Sequence, residues 1–146
     1  MLVGSSLKSM GGVYDPRSWG MCGDPGKAAL RLGCSGDQLV RDEFNLENAV
    51  SRKIGAMPFL WLGIDDTPGR DSLRSKIERN AIALLSNYNR PALDPPSTNW
   101  LGHHSDREKV RLSGLWNNNH VSEQYDPCFL DEMDRCIELY ATTLSP

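Results

Sequence analysis

The sequence predicts a helix-rich α+β fold in which several helices pack on a small antiparallel sheet, complete or incomplete. Apolar residues recur at three- and four-residue spacing in several segments, which is typical of amphipathic helices. The run from Met57 to Ile64 is instead short, rich in aromatic residues and apolar at odd and even positions alike. That pattern predicts a strand covered on both faces. The 146 residues, 39% of them hydrophobic and 24% charged, fit one soluble domain with a single core.

Two short helices are predicted before this strand. Pro25 near a first turn and Gly33 after a last turn predict the first of them. Asn45 is expected to cap the second helix, over residues 46–54, and Gly55 to end it. Turn signals at residues 11–12 and 15–16 come earlier, and the apolar residues before them look like the end of an element that begins elsewhere.

The most regular helical pattern follows the strand and a turn, and it runs from residue 72 to residue 86. Its predicted buried stripe consists of Leu73, Ile77, Ala81, Leu84 and Tyr88. Glu78 stands next to Ile77 and four residues after Arg74, which places its carboxylate at the border of the stripe. At that border, Glu78 fits either a metal ligand or one partner of a surface ion pair with Arg74.

Two further helices are predicted after a connection rich in Pro and Asn at residues 87–99. Ser105 and Glu108 form a capping-box pattern that opens a helix to about residue 112. Asp126 is expected to cap the last helix, with Pro127 in its first position. The apolar face of this last helix, which includes Cys136, closes the predicted core.

Composition excludes several classes of protein. No apolar run approaches the roughly 20 residues of a membrane span, and the start lacks the features of a signal peptide, so a cytoplasmic protein is expected. The four cysteines are irregularly spaced without a Cys-x-x-Cys pair, which favours reduced thiols. The net charge of −3 gives no general attraction to nucleic acid. Residues 70–90, however, hold five basic and two acidic residues, a local charge of +3 that suits a polyanion held over a divalent metal.

Two other groups of residues leave alternatives open. Zinc could be argued from His103, His104 and His120, but adjacent histidines point in different directions and no His-x-x-x-His pair is present. The tryptophans at 100 and 116, with the asparagines at 117–119, could stack and hydrogen-bond nucleic-acid bases. They could equally anchor loops on the core.

The string from Glu78 to Leu85, Glu-Arg-Asn-Ala-Ile-Ala-Leu-Leu, follows a short apolar strand and a turn. It resembles the later part of the GIY-YIG nuclease domain, where a helix with a Glu-x-Asn-x-Ile pattern supplies a metal-binding carboxylate. Residues 56–87, Trp-Leu-Gly-His-His-Ser at 100–105 and Ser-Gly-Leu-Trp-Asn-Asn-Asn-His-Val at 113–121 are similar to a poorly characterised bacterial group of GIY-YIG-like proteins. This resemblance covers most of the chain after about residue 17.

The resemblance implies a hydrolase of DNA phosphodiesters that uses Mg²⁺ or Mn²⁺. It implies that Glu78 binds the metal, and in such domains a tyrosine of the N-terminal motifs and an arginine of the intervening helix complete the site. This chain has neither a GIY-like nor a YIG-like strand, and Tyr14 stands in a Gly/Pro context. Residues 1–146 are therefore expected to be the C-terminal portion of such a domain with a helical extension, through a late start or loss of the front half.

DNA is the partner that the resemblance implies. The expected contacts are the basic residues around Glu78 and the asparagines that follow the helix: Arg74, Lys76, Arg79, Asn87 and Asn89. A non-catalytic DNA-binding module would use the same basic face without a metal. A protein-interaction module would instead use the apolar surface left by missing strands, for a second copy or for a partner that completes the sheet.

Overall fold

The computed structural model describes residues 2–9, 19 and 24–144, and the regular elements in these ranges are all helical. They are α1 (Leu2–Ser9), α2 (Pro25–Leu32), α3 (Gly36–Gly55), α4 (Leu73–Leu85), a 3₁₀ helix (Leu101–His104), α5 (Glu108–Ser113) and α6 (Cys128–Leu144). The chain divides into two compact units. Unit 1 comprises residues 1–57 and 97–111, and unit 2 comprises residues 58–96 and 112–146. No helix within the described residues is both long and apolar enough to cross a membrane.

The predicted α+β fold with an antiparallel sheet is wrong, because residues 2–9, 19 and 24–144 contain no strand. The run from Met57 to Ile64 is irregular, and its apolar centre at Phe59, Leu60 and Trp61 is exposed instead of covered. A strand needs a neighbouring extended backbone to pair its N–H and C=O groups. The described chain offers none to this run.

Unit 1 is built on α3. Helix α2 packs against it through a small core of Ala28, Ala29 and Leu39, and α1 contacts both α3 and the 3₁₀ helix. The predicted end of α2 is confirmed, since Gly33 adopts a φ of 65° directly after it. Residues 2–9, expected as the end of an element, form helix α1. Tyr14 and Cys22 lie outside the described residues.

Helix α3 begins ten residues before the predicted start. Ser35 is its N-cap, and the Ser35 side chain accepts a hydrogen bond of 3.2 Å from the backbone N–H of Gln38. Leu39 and Leu46, seven residues apart, are both buried, so the apolar stripe starts two turns before Asn45. Asn45 therefore lies exposed in the helix interior and caps nothing.

Unit 2 contains α4 packed against α6. The buried apolar side chains of this unit are Ile77, Ala83, Val121, Phe129 and Cys136. The predicted start of α6 is confirmed, because the Asp126 carboxylate accepts a 3.0 Å hydrogen bond from the backbone N–H of Cys128. Cys136 is buried as predicted, and the three described cysteines are free thiols.

Candidate functional site

The residues that α4 buries are only partly those that the sequence predicts. Ser72 caps the helix, its side chain accepting from the backbone N–H of Ser75 at 3.3 Å. The fully buried residues are Ile77, Asn80 and Ala83, so the helix is turned away from the predicted stripe, which shares only Ile77 with this set. The helix has this orientation because a polar residue, Asn80, occupies the middle of its buried side.

Asn80 occupies this position because both ends of its amide are hydrogen-bonded. Its Oδ1 accepts from the backbone N–H of Asp126 at 2.7 Å, and its Nδ2 donates to the carbonyl of Lys76 at 2.8 Å. Asn80 therefore ties α4 to the residue that caps α6. Counting apolar residues misses Asn80, because the periodicity of apolar residues assigns a polar residue to the solvent side of a helix.

Glu78 lies on the opposite side of α4. Residues two apart in an α-helix point about 200° from one another, so the burial of Asn80 carries Glu78 into solvent, beyond the predicted border. Within the described residues the Glu78 side chain makes no hydrogen bond or ion pair, and α4 contains no other acidic residue. The structure therefore leaves this carboxylate open to a ligand.

Arg74 belongs to a clamp at the start of α4. Its Nε donates to Asp66 Oδ1 at 2.6 Å, its backbone N–H donates to Asp66 Oδ2 at 3.1 Å, and its Nη2 reaches the carbonyls of Ile64 and Asp66 at 3.0 Å each. The hydrogen bond from the Arg74 backbone N–H, followed by that from its guanidinium, lowers the pKa of Asp66. Within the described residues, Arg74 does not form the alternative ion pair with Glu78.

Lys76 also has a carboxylate partner. Its Nζ lies 2.8 Å from Glu132 Oε1 on α6, and this hydrogen bond raises the pKa of Lys76. Two of the three cations predicted to bind DNA are thus paired within unit 2. The charge of +3 counted over residues 70–90 is largely neutralised by carboxylates from outside that segment.

Arg79, the third predicted cation, directly follows Glu78 and is exposed. Its Nε lies 4.0 Å from Glu123 Oε2, and both side chains are about half exposed, 54% and 46%. Such a solvated pair contributes at most about 1 kcal/mol. Arg79 is therefore the cation beside Glu78 that is least committed to an internal partner.

The two predicted asparagines differ in their surroundings. Asn87 organises the loop after α4, since its Nδ2 donates to the carbonyl of Asp94 at 3.0 Å and its Oδ1 accepts from the backbone N–H of Leu93 at 3.1 Å. Asn89 is exposed with a φ of 54°, a conformation that asparagine tolerates better than most residues. Asn89 alone of the two presents an amide without a described partner.

The other predicted groups do not form a zinc centre. Within the described ranges no three His, Cys, Asp or Glu side chains are placed to hold a metal ion. His103 Nε2 contacts the carbonyl of Ser97 at 3.0 Å, and its ring lies edge-on to Trp100 at 5.4 Å. Trp100 and Trp116 are both half-buried. Their partial burial favours loop anchoring over base stacking for the two tryptophans.

Fold and site together define a helical protein that presents one open carboxylate beside an arginine, on a helix fixed by internal polar contacts. A sequence model described as GIY-YIG domain matches residues 1–143, and the chain belongs to this family. Membership points to a nuclease-type function and to interaction with DNA. The match includes the first 16 residues, which the motif-based resemblance does not cover. Comparisons with curated proteins and with solved structures gave no match.

Proposed function

We propose that this protein hydrolyses DNA phosphodiesters with Mg²⁺ or Mn²⁺, and that Glu78 is the metal-binding carboxylate. The observation that carries the proposal is a difference between three charged residues of α4. Glu78 is exposed without a described partner, whereas Arg74 and Lys76 are held by carboxylates. Membership in the GIY-YIG domain family supports the same reaction class.

The donor set fits such a metal. Mg²⁺ is usually held by one or two carboxylates together with water molecules and substrate phosphate oxygens, and Glu78 supplies one carboxylate in an open position. When bound, the ion would neutralise charge on the phosphate under attack. The chain's own contribution is to present Glu78 on a helix that the Asn80 hydrogen bonds keep in place.

The proposed DNA contacts follow the same reasoning. Arg79 and Asn89 are exposed and lack a short contact to a neighbouring side chain, so they are available to phosphate oxygens. The carboxylates of Asp66 and Glu132 offset the charges of Arg74 and Lys76, which weakens the attraction of these two cations for phosphate. We therefore propose Arg79 and Asn89 as the principal contacts, with Asn87 shaping the loop that carries Asn89.

Nicking of supercoiled plasmid tests the function. The parent chain, Glu78→Gln and the control Glu138→Gln are compared with Mg²⁺, with Mn²⁺ and with a chelator. Glu138 is an exposed glutamate on α6 of the same unit, so its substitution removes the same charge elsewhere. Loss of a direct ligand should lower the rate by at least about 100-fold, since even outer-shell changes cost about 10- to 100-fold.

Equal nicking by the parent and Glu78→Gln would reject the role of Glu78. Absence of nicking by the parent, combined with DNA binding that weakens steeply with salt and needs no metal, would instead support a non-catalytic DNA-binding module.

A further inference from the structure

The loop that precedes α6 carries a histidine oriented by a carboxylate. His120 Nδ1 lies 2.7 Å from Glu123 Oε1. An ionised carboxylate can only accept a hydrogen bond, so Nδ1 is the donor and the lone pair of a neutral ring lies on Nε2. The His120 side chain is 36% exposed, and its Nε2 has no described hydrogen-bond partner.

This loop is fixed to the C-terminal half of α4. The Ser86 hydroxyl donates to the carbonyl of Val121 at 2.7 Å, and both residues are buried. Arg90 spans the junction, donating from Nη1 to the carbonyl of Ala83 at 2.9 Å and from Nη2 to the carbonyl of Glu123 at 2.8 Å. The loop that carries His120 is therefore held against the helix that carries Glu78.

The backbone at His120 is constrained as well. Its φ of 61° lies in the left-handed region, which costs a side-chain-bearing residue about 1–2 kcal/mol. The backbone N–H of Glu123 donates to the carbonyl of His120 at 3.1 Å and closes the turn. A histidine kept in this conformation by its surroundings is a candidate for function.

Glu123 also connects the histidine to the neighbour of Glu78. Its Oε2 lies 4.0 Å from Arg79 Nε, while its Oε1 accepts from His120. Arg79, Ala83 and Ser86 follow one another at spacings of four and three residues, so they share the face of α4 that meets the loop. Glu123 thus lies between the imidazole of His120 and the guanidinium of Arg79, and Arg79 directly follows the proposed metal ligand in the sequence.

We propose that His120 takes the proton from the attacking water in the hydrolysis proposed above, and that Glu123 is its positioning residue. The water oxygen forms a bond to phosphorus, and its proton passes to Nε2 of His120. The bond between phosphorus and the leaving deoxyribose oxygen breaks, and that oxygen takes a proton from solvent. The charged group in contact with the imidazole is Glu123. Arg79 lies beside the other carboxylate oxygen of Glu123, and Arg90 is hydrogen-bonded to the loop backbone.

Two variants at His120 separate chemistry from folding. His120→Asn keeps a residue that tolerates a positive φ, and His120→Gly removes the strain and leaves space for a small molecule. Neither variant can take the proton, so plasmid nicking should fall by about 100- to 10,000-fold, the usual contribution of general base catalysis. Added imidazole should restore part of the rate to His120→Gly and none to Glu78→Gln. His104→Asn, an exposed control in unit 1, should nick at the parent rate.

Glu123→Gln tests the positioning role, and it should lower kcat without raising KM, because Glu123 does not contact DNA in this proposal and loss of its charge leaves Arg79 freer to bind phosphate. Parent-like nicking by His120→Asn, or failure of imidazole to act on His120→Gly, would overturn the role of His120 while leaving Glu78 and the nuclease function in place. No nicking by the parent would overturn both proposals.

Discussion

Substitution of Asn80 by alanine tests whether the hydrogen bonds of Asn80, which join α4 to the residue that caps α6, stabilise unit 2. The variant removes the acceptor for the backbone N–H of Asp126, at 2.7 Å, and the donor to the carbonyl of Lys76, at 2.8 Å. It also empties part of a buried position, since Asn80 is only 4% exposed.

The expected loss combines two lost hydrogen bonds, an emptied volume and a gain in helix propensity. A buried donor left without its partner costs about 1–3 kcal/mol, and a lost neutral hydrogen bond about 0.5–1.5 kcal/mol. The Asp126 N–H is only partly buried, so its cost lies in the lower half of the first range, and the volume that Asn80 leaves adds to the loss. Alanine returns up to about 0.7 kcal/mol through its higher helix propensity. The Lys76 carbonyl keeps its hydrogen bond within the helix, so the loss of the hydrogen bond from Asn80 Nδ2 costs an amount at the low end of the range for a neutral hydrogen bond. We expect a net loss of about 2 kcal/mol, which lowers the Tm by roughly 4–8 °C for a chain of this size.

Urea unfolding followed by circular dichroism measures the effect, with Asn45→Ala as the control. Asn45 is exposed inside α3, so its replacement changes helix propensity alone and should leave stability equal or slightly higher. A change of less than about 0.5 kcal/mol in Asn80→Ala would refute the reasoning, because the surroundings would then satisfy the Asp126 N–H without Asn80.

Two further outcomes are expected. The Arg74 hydrogen bonds lower the pKa of Asp66, so the stability from this carboxylate is present above its ordinary value, about pH 4, and is lost as the pH falls through the folded-state pKa. Asp66→Asn should therefore lose less stability than the parent on acidification, and parallel pH curves would contradict this. Gly114→Ala should destabilise by at least about 1 kcal/mol, because its φ is 75° and the new Cβ would lie 2.9 Å from Pro96 Cδ. Gly36→Ala, where a Cβ meets nothing within 4 Å, is the control, and equal stability of the two variants would show that the loop adapts.

Local signals allowed part of the fold to be predicted from the sequence. The end of α2 and the Asp126 cap of α6 each depend on a few neighbouring residues, and each is confirmed. The sheet could not be judged this way, because a strand exists only through pairing with a distant segment. The sequence does not predict the start of α3, because Asn45 is also a good cap residue and only tertiary packing decides between Asn45 and Ser35.

In the candidate site, too, local sequence signals predict one part, and contacts between distant residues decide the rest. Glu78 could be singled out from its motif, but its exposure depends on Asn80 being buried against Asp126, 46 residues away. The basic surface was overestimated because Lys76 pairs with Glu132, 56 residues away, which counting charges within one segment cannot reveal. The contact between His120 and Glu123 spans three residues, yet a histidine three positions before a glutamate carries no signal unless the turn is known.

The opposite orientations of Glu78 and Asn80 on α4 have a consequence for how this protein can diverge or be redesigned. The packing residues and Glu78 occupy separate sides of one helix, so the solvent side can accept new residues while the inner side keeps the packing with α6. A variant library restricted to the exposed positions of α4 would sample new surface chemistries on an unchanged scaffold. The helix is therefore a natural starting point for altering what the protein recognises without redesigning how it folds.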